Sequence, residues 1–192
     1  MNIQMKSFVA TSVLGLAVFF ASLAPDAATA QMTGGHMHGA DGTGHNMHTM
    51  PGLRGEDATD AESGELAILF RNFPLITRQV TNLPNGIRTV TYSENEELMG
   101  ILVSHVVGMI DRVETGRDPK VFIQSPTLDI LFERHAAIVT EIENTDAGII
   151  VTQTSDDPEV VQALQTHAAE VTAMADRGMQ AVHEMMMQRA GN

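Results

Sequence analysis

NLPNGIRTVTYSENEELMGILVSH, residues 82–105, is echoed by NTDAGIIVTQTSDDPEVVQALQTH, residues 144–167, at a constant offset of 62 positions. Extended outward, residues 65–117 and 127–179 align without a gap. They match at Leu66/Leu128, Ile68/Ile130, Leu69/Leu131, Phe70/Phe132, Ile76/Ile138, Leu102/Leu164 and His105/His167. Agreement at apolar positions and at glycines (Gly86/Gly148, Gly116/Gly178) marks a duplicated unit, and such units pack about a pseudo-twofold axis. Equivalent side chains then meet near the axis or flank it, so His105 and His167 are candidates for one shared site.

Each copy reads as helix, hairpin, helix. Residues 65–73 and 127–136 carry apolar side chains at helical spacing. Strands are expected at 76–81 and 87–92, and again at 138–143 and 149–154. Pro84-Asn85-Gly86 is a strong turn signal because Asn-Gly tolerates positive φ. Ser93 and Ser155 stand where helix N-caps belong, with acidic residues after them. The long helices should end at Gly116 and Gly178, with further helix open to the second copy through 184 and 185–187. The expected fold is α+β: two tandem helix–hairpin–helix repeats over residues 61–192, sharing one four-stranded antiparallel sheet with the long helices on one face.

Ahead of this domain lie two segments of other character. Lys6, the apolar run 8–24 and Ala28-Thr29-Ala30 read as a secretory signal peptide over 1–30, cleaved before Gln31. That run is marginal for a bilayer span and no stop-transfer pattern follows it, so no membrane span is expected after cleavage. Residues 31–60 are rich in Gly, Thr, Asp, His and Met without apolar periodicity, which reads as a disordered tail. The chain has no cysteine, hence neither a disulfide framework nor a lipidated N-terminus. A periplasmic or secreted protein follows. Its formal net charge of −13 excludes nucleic acid and anionic membrane surfaces as natural partners and favours cations.

The chemistry concentrates on histidine and methionine. Leu98, Ile101, Leu102, His105, Met109 and Val113 form one stripe, and Leu164, His167, Val171 and Met174 form its counterpart. His135 also falls on a core face, because its repeat partner is Phe73. A histidine on an apolar face is commonly a core residue whose ring is hydrogen-bonded; two equivalent ones beside methionines instead suggest a ligand site. Imidazole suits copper, zinc and haem iron, and thioether suits Cu(I) or a haem axial position. His183, with Met179 and Met187 four residues to either side, is a second candidate whose alternative reading is helix packing with flexible Met. In the tail, His36-Met37-His38 and His45, Met47, His48 gather ligands of a type suited to copper capture in an oxidising compartment. No C-x-x-C-H, H-E-x-x-H, G-x-S-x-G or phosphate-binding Gly loop is present. Ser104 and His105 are helix neighbours that do not face each other, so they form no nucleophile–base pair.

The pattern LPNG-I-x-T-x-T-x-S followed by H-V-x-x-M-x-x-R (His105, Met109, Arg112), then T-x-S-D-D-P followed by H-A-x-x-V (His167, Val171) and R-G-M, resembles an uncharacterised group of exported bacterial proteins. The likeness covers residues 65–183 and not the tail. It implies a redox or metal setting, since some members accompany c-type cytochrome modules. One departure is Phe73, where the idealised repeat has a histidine to match His135.

The expectation from sequence is a periplasmic metal-binding protein, for copper, that holds ions through His/Met ligands without catalysis. The alternative is a non-covalent haem b protein with His105 and His167 as axial ligands, in electron transfer, sensing or catalysis. A third reading is a structural partner of a cytochrome. Expected partners are the metal ion and a periplasmic redox protein or cytochrome, with a homodimer left open.

Overall fold

The computed structural model describes residues 50–191, all within one unit, Ala40–Asn192. The signal peptide and the tail residues His36, Met37, His38, His45, Met47 and His48 lie outside the described residues.

Helix α1 (Asp60–Arg71) begins five residues before the expected start because Thr59 and Glu62 form a capping box. Thr59 Oγ1 accepts from the Glu62 N–H at 3.2 Å, and the Thr59 N–H donates to the Glu62 carboxylate at 2.7 Å. Pro74 then turns the chain through the 3₁₀ segment Phe73–Leu75 into β1 (Thr77–Leu83) and β2 (Gly86–Tyr92). The hairpin closes where expected, on Pro84 and Asn85. Asn85 is not among the positive-φ residues; the need for glycine comes from the neighbouring strand. A Cβ on Gly86 would stand 1.9 Å from the Gln153 carbonyl oxygen, so only glycine lets the two backbones approach.

Helix α2 (Glu96–Glu114) is capped by Asn95, whose side chain accepts from the Leu98 N–H at 2.9 Å. Helix α3 (Thr127–Glu133) and the 3₁₀ segment His135–Ala137 lead into β3 (Val139–Thr145) and β4 (Gly148–Thr154). Helix α4 (Pro158–Arg177) is capped by Asp157 and stops at Gly178; α5 (Met179–Ala190) follows at once. The caps thus fall two residues after Ser93 and Ser155. Those buried serines instead accept from the N–H groups of Asn95 and Asp157.

The sheet is antiparallel throughout, in the order β1-β2-β4-β3. Its central pairing sets Thr89 opposite Val151, two positions related by the offset of 62. The hairpin registers share that offset: Thr77 pairs with Tyr92, and Val139 with Thr154. Ile87, Thr89 and Thr91 of β2 and Ile149, Val151 and Gln153 of β4 fall on one face by alternation.

The helices cover that face crosswise. Leu98, Leu102 and Ile110 of α2 pack with Ile149 and Val151 of β4, while Val160, Ala163 and Leu164 of α4 pack with Ile87 of β2. Fully buried Val160 and Leu164 each contribute about 1.5–3 kcal/mol of hydrophobic stabilisation. A third cluster joins Met50 and Leu53 to Phe70 of α1 and Val182 of α5, so residues 50–59, which composition groups with the tail, are seated in the fold. Two contacts tie the halves reciprocally. The Phe73 ring lies where a Cβ on Gly178 would be, and the His135 ring where a Cβ on Gly116 would be.

Candidate functional site

The stripes on α2 and α4 converge on a cavity of about 320 Å³ between the helices and the covered face of the sheet. It stays open because several side chains turned toward it are short: Thr89 and Thr91 from β2, Ala168 and Ala175 from α4. The cavity is partly open to solvent, and its volume falls at the lower end of ligand pockets, which start at roughly 300 Å³. His105, Met109, His167 and Met174 all line it. Of the sequence candidates, then, one pair of histidines, Met109 one turn beyond the first and Met174 two turns beyond the second share a single cavity.

His105 is crowded by protein, and its Nδ1 is buried with no hydrogen-bond partner among the described residues. Burial pushes its pKa below the ordinary histidine value; Glu65 and Glu62 on α1 pull it back only in part. The ring is therefore neutral at physiological pH, which leaves a nitrogen lone pair available. Ser104 next to it points elsewhere, its hydroxyl donating to Glu65 Oε1 at 2.6 Å.

His167 has a different neighbour. Its Nδ1 lies 3.7 Å from Glu170 Oε2, an electrostatic contact too long for a hydrogen bond. The other Glu170 oxygen is fixed by the Ser125 hydroxyl at 2.6 Å and the Thr127 hydroxyl at 3.3 Å. Burial alone would raise the Glu170 pKa, but the adjacent His167 and the two hydroxyls outweigh it, and the net shift is downward. A carboxylate beside an imidazole is the arrangement that orients ligating histidines.

A third polar group enters from the sheet. Arg78 on β1 reaches the cavity, donating from Nη1 to Thr91 Oγ1 at 2.8 Å. Its Nε is buried without a partner. Among the described residues, three of the five buried side-chain atoms in that condition belong to cavity-lining residues: Arg78, His105 and His167. Unsatisfied buried polar atoms are rare in folded proteins, so their concentration here marks the cavity as a place for something polar enough to meet them.

The remaining candidates lie elsewhere. His135 donates from Nδ1 to the Glu114 carbonyl oxygen at 3.1 Å; a carbonyl only accepts, so Nδ1 carries the proton. It clamps the end of α2 and does not line the cavity. His183 is exposed on α5, and Met179 packs in the cluster around Met50, Phe70 and Val182. Among the described residues no group of three or more His, Asp or Glu is placed to hold a metal ion. No helix among them is long and apolar enough to cross a membrane. Sequence reading passed over Arg78 and Glu170. Arg78 shares the alternation of Ile76 and Val80, and Glu170 lies one turn after His167, so each had a positional signal without a chemical one.

Together these groups offer an apolar enclosure with nitrogen donors on its helical side and a positive charge on its sheet side. Comparison with known proteins adds no relative: no protein-family model, no curated protein and no solved structure matches this chain.

Proposed function

We propose that this is an exported haem-binding protein, with the porphyrin seated in the cavity and His105 and His167 as the iron ligands. The observation that carries this reading is that two histidines, equivalent under the 62-residue offset, line one largely apolar cavity, His105 with a buried Nδ1 that makes no hydrogen bond to the described residues and His167 with the Glu170 carboxylate beside its Nδ1. Metal–imidazole bonds are about 2 Å long, so a bare ion held between two rings has no use for some 320 Å³ of apolar space. A porphyrin does. Bound there, haem would supply one-electron or gas-binding chemistry, and the protein would hold it, exclude water and set its axial ligands. We also take the domain to be two fused copies of one unit. The Thr89–Val151 pair, the matching hairpin registers and the reciprocal Phe73–Gly178 and His135–Gly116 contacts support that view. A redox protein of the same compartment is the natural partner.

Copper handling is the second reading, favoured by one observation, the His/Met spacing of residues 36–48. Protein purified from the exported fraction of its own cells, examined by absorbance and elemental analysis, separates the two. A Soret band with one iron per chain is the expected result. A colourless protein carrying copper, reduced in the double variant His105→Ala/His167→Ala, would support copper; protein with neither metal nor haem would sink both.

A further inference from the structure

The cavity is lined mostly by apolar side chains, and among the polar ones that reach it (Arg78, the two histidines, and threonine, serine and glutamine side chains) only Arg78 carries a fixed charge. Arg78 is the unusual member. Burial lowers its pKa to about 10, so it stays protonated at neutral pH. Among the described residues no carboxylate forms an ion pair with it, although the chain as a whole carries a formal charge of −13. Elsewhere the fold does pair its arginines: buried Arg112 meets both Asp57 and Glu62, and even the exposed Arg134 meets Asp157 and Glu159. A guanidinium taken out of water is costly without an anion, and its planar fork is shaped to take a carboxylate. Thr91, its register partner across β1–β2, fixes Nη1 and leaves Nε without a protein acceptor.

We propose that the cavity takes an amphipathic acid, its apolar body among the core side chains and its carboxylate on Arg78. If the ligand is haem the acid is a propionate, and only that identification rests on the haem reading; a fatty acid presents the same chemistry. Arg78 is on this account a specificity-determining residue that selects the acid over its neutral ester.

The test compares free acids with their methyl esters. Haemin and haemin dimethyl ester are titrated by absorbance, and cis-parinaric acid and its methyl ester by fluorescence, against wild type, Arg78→Met and Arg78→Lys. The wild type is expected to bind at least one acid about tenfold or more tightly than its ester. Arg78→Met should bind acid and ester alike, with its affinity for the ester retained as proof that the cavity still forms. Arg78→Lys should keep part of the preference. Discrimination with parinaric acid but no haemin binding would refute the haem reading and leave this inference standing. Equal affinity of the wild type for acid and ester, discrimination that persists in Arg78→Met, or binding of none of the four compounds would overturn it.

Discussion

The two long helices present the same residue to the same cavity, yet they are fastened by opposite means. On α2, Arg112 is buried and gathers Asp57 and Glu62, with Nη1 2.9 Å from Asp57 Oδ2 and Nε 2.5 Å from Glu62 Oε1. The equivalent position on α4 is Met174, which packs toward Met50, Leu53, Phe70 and Val182. Arg112 ties α2 to α1 and the segment before it by charge; Met174 ties α4 to that same region and to α5 by dispersion and burial. Histidine recurs where the cavity needs it, while the surrounding contacts differ between halves. That pattern is expected if the cavity, and not the scaffold around it, is what the two histidines serve.

Breaking the charged fastening should cost most. Arg112→Met strands Glu62 and Asp57 and is expected to destabilise the domain by about 3 kcal/mol, a value near the low end for a broken buried pair because Asp57 is largely exposed. Met174→Ala should cost about 2 kcal/mol by leaving a small void. Urea unfolding of both variants measures the contrast; equal losses would erase it.

The reciprocal ring contacts give the next largest effect. Gly178 has φ 57° and ψ −136°, and an added Cβ would meet Phe73 at 2.7 Å. Gly116 has φ 64°, and its Cβ would meet the His135 ring at 2.9 Å. Each Gly→Ala change is expected to cost about 1–3 kcal/mol, the larger at Gly178. Phe73→Leu should relieve Gly178→Ala and leave Gly116→Ala untouched, which thermal melts of the double variants would show.

Smaller still, two groups of the α1–α2 half should separate by pH. The pKa of His105 is lowered in the folded state, so the unfolded chain takes its proton first as pH falls. Its contribution is complete above about pH 6.5 and declines below it. Glu62 is held down to about 2 from an ordinary 4.5, chiefly by the Arg112 guanidinium. Its stabilisation is complete above about pH 4.5 and is lost toward pH 2. Melting temperature against pH should therefore fall in two windows. His105→Leu should remove the upper one and Arg112→Met the lower.

Much of this architecture was legible because period and turn chemistry are local. The strands alternate around Pro84-Asn85-Gly86 and Asp146-Ala147-Gly148, and Leu102, His105 and Met109 fall on one helical face. Competing local bonds hid the caps: Ser93 and Ser155 look like N-caps but turn inward, leaving the role to Asn95 and Asp157. The early start of α1 was written in Thr59 and Glu62, which straddle the border between the stretch whose composition reads as tail and the domain. The cavity had no local signature, since it arises only where all five helices meet three strands of the sheet. Arg78 acquires meaning only once that void is known.

The central claim is that His105 and His167 serve one ligand. Titration of metal-free full-length protein with haemin, followed by absorbance, tests it most directly. One equivalent should saturate the wild type with a low-spin spectrum. Either single histidine-to-alanine variant should shift that spectrum, and the double variant should lose tight binding. Haemin uptake that is absent in the wild type, or unchanged in the double variant, would contradict the account.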